Sequence, residues 1–188
     1  MTKTVKLSEV CEIVSGIGHF PNSASGKATK FLRITDLQNN LINPNNLKSI
    51  KVASKSHKNL DEQKKVKKND VIISIQGTLG KTAIADKNLD CYVLSSMIIL
   101  RPKGIRPQYL LCAINTKRFQ QRLEKLATGV TIQRVALPAF REHMEIPLIP
   151  NSEQLKMTIK FQKINKKISD LDVQTLKAKL ELKNFEIK

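Results

Sequence analysis

Every proline and every glycine of the 188-residue chain, seven of each, lies at or before Pro150, and residues 151–188 contain neither. Proline and glycine are the residues that break helices and shape turns. A stretch of this length without them can run as one helix, and its side chains say which kind. Met157, Phe161, Ile164, Ile168, Leu171, Thr175, Ala178, Leu182 and Phe185 follow one another at alternating steps of four and three. Seven of these nine are large and apolar, which makes an a/d seam and argues for a coiled coil. Ser152 is a candidate N-cap. A helix over 154–187 would be about 50 Å long. Thr175 and Ala178 loosen the seam, and Val173, Leu176 and Leu180 lie on another face. Such a helix can fold back on its own domain or pair with a second helix. Length and regularity favour pairing, so Met157, Phe161, Ile164, Ile168, Leu171, Leu182 and Phe185 are expected to dimerise.

Residues 1–150 read as a mixed α/β globular domain, so the expected class is α+β with a long C-terminal helix. Leu7–Val14 reads as a helix capped by Ser8 and ended by Ser15-Gly16. Lys30–Ile34 is strand-like, and Asn39–Asn46 is asparagine-rich and turn-forming around Pro44. Asp70–Ile75 and Tyr92–Arg101 are apolar runs suited to buried strands, the second closed by Pro102. Pro107 suits a helix start, with helical composition through Gln108–Leu126. Met144–Ile149 is a last extended run. The sequence therefore divides into 1–150 and 151–188.

The formal net charge is +17. Residues 151–188 hold nine lysines and five acids, net +4, leaving +13 to residues 1–150. An excess of this size favours a polyanion. The longest apolar stretch, Val93–Leu100, is interrupted by two serines and far too short for a span, so a membrane is the weakest candidate. No leader pattern opens the chain, and Cys11, Cys91 and Cys112 suit free thiols, which together point to the cytoplasm. Lys48–Lys68 is lysine-rich with only two acids. It reads equally as a solvated edge or as a phosphate-tracking surface.

Three polar loops have the chemistry for reading base edges. Gln76–Thr82 follows the first buried strand and offers Gln76, Thr78 and Lys81 around two glycines. Thr128–Arg134 repeats the theme with Thr131, Gln133 and Arg134. Gly16–Arg33 carries His19, Asn22, Ser23, Ser25, Lys27, Lys30 and Arg33. Arginine and lysine suit guanine, and glutamine and asparagine suit adenine. Each loop alone could be a tight turn; together with the charge they point to DNA. Nothing asks for catalysis. Gly80-Lys81-Thr82 matches the end of a P-loop, but Ile75 stands where that pattern needs glycine. His19, His57 and His143 are scattered, and the cysteines lack zinc spacing. No Asn/Asp-Pro-Pro-aromatic motif, no Gly-x-Gly methyl-donor segment and no nuclease signature is present.

An ordered set of segments resembles the specificity subunits of type I restriction–modification systems. Lys6-Leu7-Ser8-Glu9-Val10 leads to Ser15-Gly16, then to Phe31–Leu37, Lys68–Gly80 and Gly129-Val130-Thr131. Pro147 to Pro150 follows, and Glu153-Gln154 opens the long helix. The resemblance is to one target-recognition domain and its helix, where family members usually carry two of each, with antiparallel helices. Leu94-Ser95-Ser96 stands where the family often has Gln-Asn. The resemblance implies that the domain reads half of a bipartite site in double-stranded DNA. It implies that the helix sets spacing and docks modification (methyltransferase) subunits. It also implies that methyl transfer and cleavage belong to modification and restriction subunits, so no cofactor is expected here. One helix per chain suggests a homodimer. The alternative is a basic RNA-associated or other nucleic-acid scaffold protein.

Overall fold

The central strands explain themselves by alternation. In the computed structural model, which describes residues 3–18, 26–58 and 60–183, the strand β10 (Met97–Pro102) sends Ile98 and Leu100 to one face and Met97 and Ile99 to the other. β7 (Val71–Ser74) does the same with Val71 and Ile73 against Ile72. A strand covered on both faces reads as an unbroken apolar run, as these do. Around them lies a six-stranded sheet in the order β2 (Cys11–Ser15), β10, β7, β8 (Thr82–Ile84), β5 (Asn40–Ile42), β4 (Leu37–Gln38). All its neighbours are antiparallel except β5 and β8.

One face of that sheet packs on α3 (Pro107–Ile114), α4 (Lys117–Lys125) and α5 (Leu137–His143), through Tyr109, Leu110, Phe119, Leu123 and Phe140. The other face meets Leu32, Val66, Leu89, Cys91 and Val93. These lie on or near a three-stranded sheet of β6 (Lys48–Val52), β3 (Lys27–Leu32) and β9 (Tyr92–Val93). The short helix α2 (Ser54–Lys58) follows β6. β1 (Thr4–Lys6) pairs with β11 (Glu145–Pro147), tying the two ends of the domain together.

Four local expectations change, one of them at the long C-terminal helix, which begins at Asn151 so that Ser152 lies inside it and is not its N-cap. The helix expected over Leu7–Val14 is only α1, Leu7–Val10, with Lys6 at the N-cap position and not Ser8. Cys11–Ser15 leaves it to pair with Ile98–Pro102, so the sheet ladder wins over helix propensity. The run Tyr92–Arg101 is two strands in two sheets, parted by a turn at Leu94-Ser95-Ser96. Gln108–Leu126 is two helices, because Asn115 closes α3 and the Thr116 hydroxyl accepts from Phe119 N at 3.4 Å to start α4.

The long helix is α6, Asn151–Lys183, about 50 Å long. Its first half docks on its own domain along Gln154, Thr158, Phe161 and Asn165, spaced as one helix face requires. Gln154 is buried; its amide donates to Ile149 O at 2.9 Å and accepts from Arg106 N at 3.2 Å, capping α3. Asn165 bonds Asn40 at 2.8 Å and Asn39 O at 2.7 Å. Met157, Ile164, Ile168 and Leu171 remain 41–52% exposed. The side chain of Leu182 and all of Phe185 lie outside the described residues.

Candidate nucleic-acid interface

The loop after β7 is shaped by one buried hydroxyl. Ser74 Oγ donates to Thr78 O at 2.6 Å and accepts from Lys81 N at 2.9 Å. Gly77 and Gly80, at φ +75° and +71°, make the bends that L-residues resist. Thr78 and Lys81 are exposed on this loop and Gln76 is half-buried. Replacing Ser74 by alanine strands the Lys81 N–H and should cost about 1–3 kcal/mol. Denaturant unfolding measures that cost, and a loss below half a kilocalorie would mean the hydroxyl does not hold the loop.

The second loop closes on itself and then onto the first. Thr128 N donates to Arg134 O at 2.9 Å, and Arg134 N returns the bond to Thr128 O at 2.8 Å. Gly129, at φ +99°, lets the chain turn where a Cβ would meet Ile132 O. Gly77 N then donates to Gln133 O at 2.9 Å, and Val135 N to Ile75 O at 2.8 Å. Gln76 and Arg134 thus face each other across a short antiparallel bridge. Gln76, Thr78, Lys81, Thr131, Gln133 and Arg134, separated by some fifty positions in sequence, come onto one edge of the domain.

The same edge continues through residues that sequence patterns did not single out as readers. Ser96 O accepts from Ile75 N at 2.8 Å and Gln76 N at 3.2 Å, while Ser95 N donates to Ile17 O at 2.8 Å. The order along the edge is therefore Ile17, Leu94-Ser95-Ser96, Gln76-Gly77, Gln133-Arg134, Thr128. Only the presence of Leu94-Ser95-Ser96 at a strand break could have signalled it. Val130 and Ile132, both exposed, belong to the same edge, and apolar residues in a polar loop carry no hydrogen-bonding signal.

The third group is not part of this edge in the same way. Lys27 and Lys30 lie on β3 and recede along the strand from the level of Leu94, at about 3.3 Å per residue. Both act on Asp90 through charge: its carboxyl is held below the usual range first by Lys65, then by Lys30 and Lys27. Lys65 binds Asp90 at 2.7 Å and Glu62 at 2.8 Å, so this surface is mixed in charge. Arg33 has its guanidinium on Asp36, at 2.7 and 3.1 Å, and its N–H on the same carboxylate at 2.8 Å. That buried carboxylate closes the turn over Ile34–Asp36, which gives Arg33 a structural task. His19, Asn22, Ser23 and Ser25 lie outside the described residues.

A chain of amides ties the first loop to α6. Thr82 hydrogen-bonds Asn40 and, at 2.8 Å, the Asn115 amide, and Asn40 bonds Asn165. Burial pushes the Cys11 and Cys91 thiols up to about 12, so they stay protonated. Among the described residues, no group of three or more His, Cys, Asp and Glu is placed to hold a metal ion. None of the helices described is long and apolar enough to cross a membrane.

Residues 2–182 match the family model of the type I restriction modification DNA specificity domain. A Mycoplasma genitalium protein provisionally named a type I specificity subunit is 30% identical over 88 residues, 46% of this chain and 22% of its own length. A structure described as showing complex assembly and conformational transition of the type I R-M system aligns with TM-score 0.68 and 23% identity, over 97% of this chain and 43% of that one. The HsdS subunit of Thermoanaerobacter tengcongensis aligns with TM-score 0.62 and 22% identity, over 92% and 39%. The type I S subunit of M. genitalium aligns with TM-score 0.60 and 18% identity, over 92% and 41%. At these identities the structural likeness speaks for the fold. The chain spans less than half the length of the relatives it matches.

Proposed function

The chain belongs to the family of type I restriction–modification DNA specificity domains, and on that membership we propose that it reads one half of a bipartite site in double-stranded DNA for a type I assembly. The observation that carries this is the bond from Gly77 N to Gln133 O, which makes one surface of two polar loops. Gln76, Thr78, Lys81, Thr131, Gln133 and Arg134 are the proposed reading groups. Lys27 and Lys30 would track phosphates farther along the groove, where sequence is not read. Modification and restriction subunits would supply methyl transfer and cleavage, and this chain would carry neither. Residues 1–150 act as the recognition unit, and 151–188 as spacer and docking helix. The second apolar stripe of α6, Leu155, Ile159, Val173 and Leu180, is exposed and suits a modification subunit. The stripe of Met157, Ile164, Ile168 and Leu171 suits a second copy of this helix, as a coiled-coil homodimer.

The test is affinity of the purified chain for duplex DNA, single-stranded DNA and structured RNA across a salt series. If about six phosphates are neutralised, log K should fall against log salt with a slope near −5. Gln133→Ala or Arg134→Ala should relax preference at one base position by roughly 1–3 kcal/mol. Lys27→Ala should weaken all duplexes alike. A flat salt response, or equal binding to RNA, would overturn the DNA reading in favour of a general scaffold.

A further inference from the structure

Main-chain hydrogen bonds account for the closure of the second loop but not for the character of its tip. Val130 is fully exposed and Ile132 is 59% exposed, although each is β-branched and apolar. They are not on a floppy segment: the paired bonds between Thr128 and Arg134 close the loop, and Gly77 N and Ile75 O fasten it to the strand beneath. The left-handed Gly129 turns Val130 outward. Two stiff apolar side chains are therefore presented to solvent on a fixed base. β-branched side chains have few rotamers to lose, so the entropic cost of fixing them in a contact is small.

What could cover them is limited by their setting. They alternate with Thr131 and Gln133, next to Arg134, on an edge of a chain of net charge +17, a setting that attracts a polyanion and repels a basic partner. In the major groove, thymine alone among the bases offers an apolar feature, its 5-methyl group. Short branched side chains fit a methyl contact, and the other apolar mode, a wedge that parts stacked bases, belongs to minor-groove binding and kinks the duplex. We propose that Val130 and Ile132 are specificity-determining contacts that select thymine by its methyl group, while Gln133 and Arg134 read adjoining base edges. The proposal rests on the DNA-reading assignment above and adds to it a base and a mode of reading.

The experiment uses the full chain and a duplex selected by it from a randomised pool. Each thymine is replaced in turn by 2′-deoxyuridine, which keeps the pairing and removes the methyl. At one or more positions the wild type should lose roughly 4-fold in affinity, the effect of one buried methyl. In Val130→Ala or Ile132→Ala the same replacement should cost nothing further, because the partner is already gone. Both variants alter exposed positions, and unchanged unfolding curves confirm an intact fold. The proposal is overturned if no replacement matters, or if variant and replacement losses simply multiply. It is equally overturned if 2-aminopurine fluorescence reports an unstacked step at the loop. A Val130→Ala defect seen only in binding to modification subunits overturns it too. If Arg134→Ala relaxes selectivity while the methyl has no effect, the reading surface stands and this contact fails. If no sequence is selected from the pool, the reading surface itself fails.

Discussion

Replacing Arg101 by alanine is expected to destabilise the fold by about 3–5 kcal/mol, the cost of leaving a buried charge unpaired. The Asp70 side chain is fully buried at the entrance to β7. Its carboxylate takes Arg101 Nε at 2.8 Å and Nη2 at 2.9 Å in a two-pronged pair, and the Lys67 N–H at 2.8 Å. The Arg101 guanidinium also reaches Gln63 O and Lys65 O at 3.4 Å, so it pins residues 63–67 against the sheet. Removing arginine leaves an anion in the apolar interior with one donor. Against a typical total stability of about 5–15 kcal/mol, that is a large share. Adding Asp70→Asn to Arg101→Ala removes the stranded charge and should restore part of the loss. Denaturant unfolding of the single and double variants measures both steps. A single-variant loss under about 1 kcal/mol would mean that water reaches Asp70 and the pair is an ordinary surface one.

Asp70 and Arg101 also show how far the sequence could be read. Each sits beside an apolar run, Val71–Ile75 and Met97–Leu100, and both runs are strands as their composition predicts. Their pairing with each other depends on register, which no local pattern states. The same division holds elsewhere. Helix α6 is legible because a period near 3.5 repeats over many turns. The conversion of Cys11–Ser15 from helix to strand is not, because its partner β10 lies some ninety residues away. Glu153-Gln154 is visible as a motif, but the task of Gln154 in capping α3 appears only when Arg106 is brought beside it. At the candidate interface, the two glycine-bearing loops announce their chemistry through Gln76, Thr78, Lys81, Thr131, Gln133 and Arg134. Their adjacency comes from main-chain bonds at Gly77 and Val135, which carry no sequence signature. Arg33 is expected near that surface from its place at the end of the Gly16–Arg33 loop and its chemistry; its three bonds to Asp36 depend on a turn that residue type cannot reveal.

Changing Ile164 and Ile168 together to aspartate is expected to abolish self-association of the chain, weakening it by 1,000-fold or more. Each isoleucine buried in a helix pair contributes roughly 1.5–3 kcal/mol, and a two-fold pair loses four of them. Both side chains are about half exposed in the single chain, so the change should leave the fold itself nearly untouched. Phe161, the seam residue packed against the domain core, is the wrong one to change for this reason. The geometry of the pair also fixes what it should read. The seam from Met157 to Phe185 is centred on Leu171, so antiparallel copies in register cross there. Each domain grips its helix between Gln154 and Asn165, on average some eleven residues from the crossing. Two domains are then about 33 Å apart at 1.5 Å per residue. Identical domains about a two-fold axis must read an interrupted palindrome. Light scattering of wild type and double variant at tens of micromolar, with and without DNA, tests the association. Selection from a randomised duplex pool tests the site. A monomeric wild type would end the homodimer, and a dimer selecting a site without two-fold symmetry would end the antiparallel arrangement.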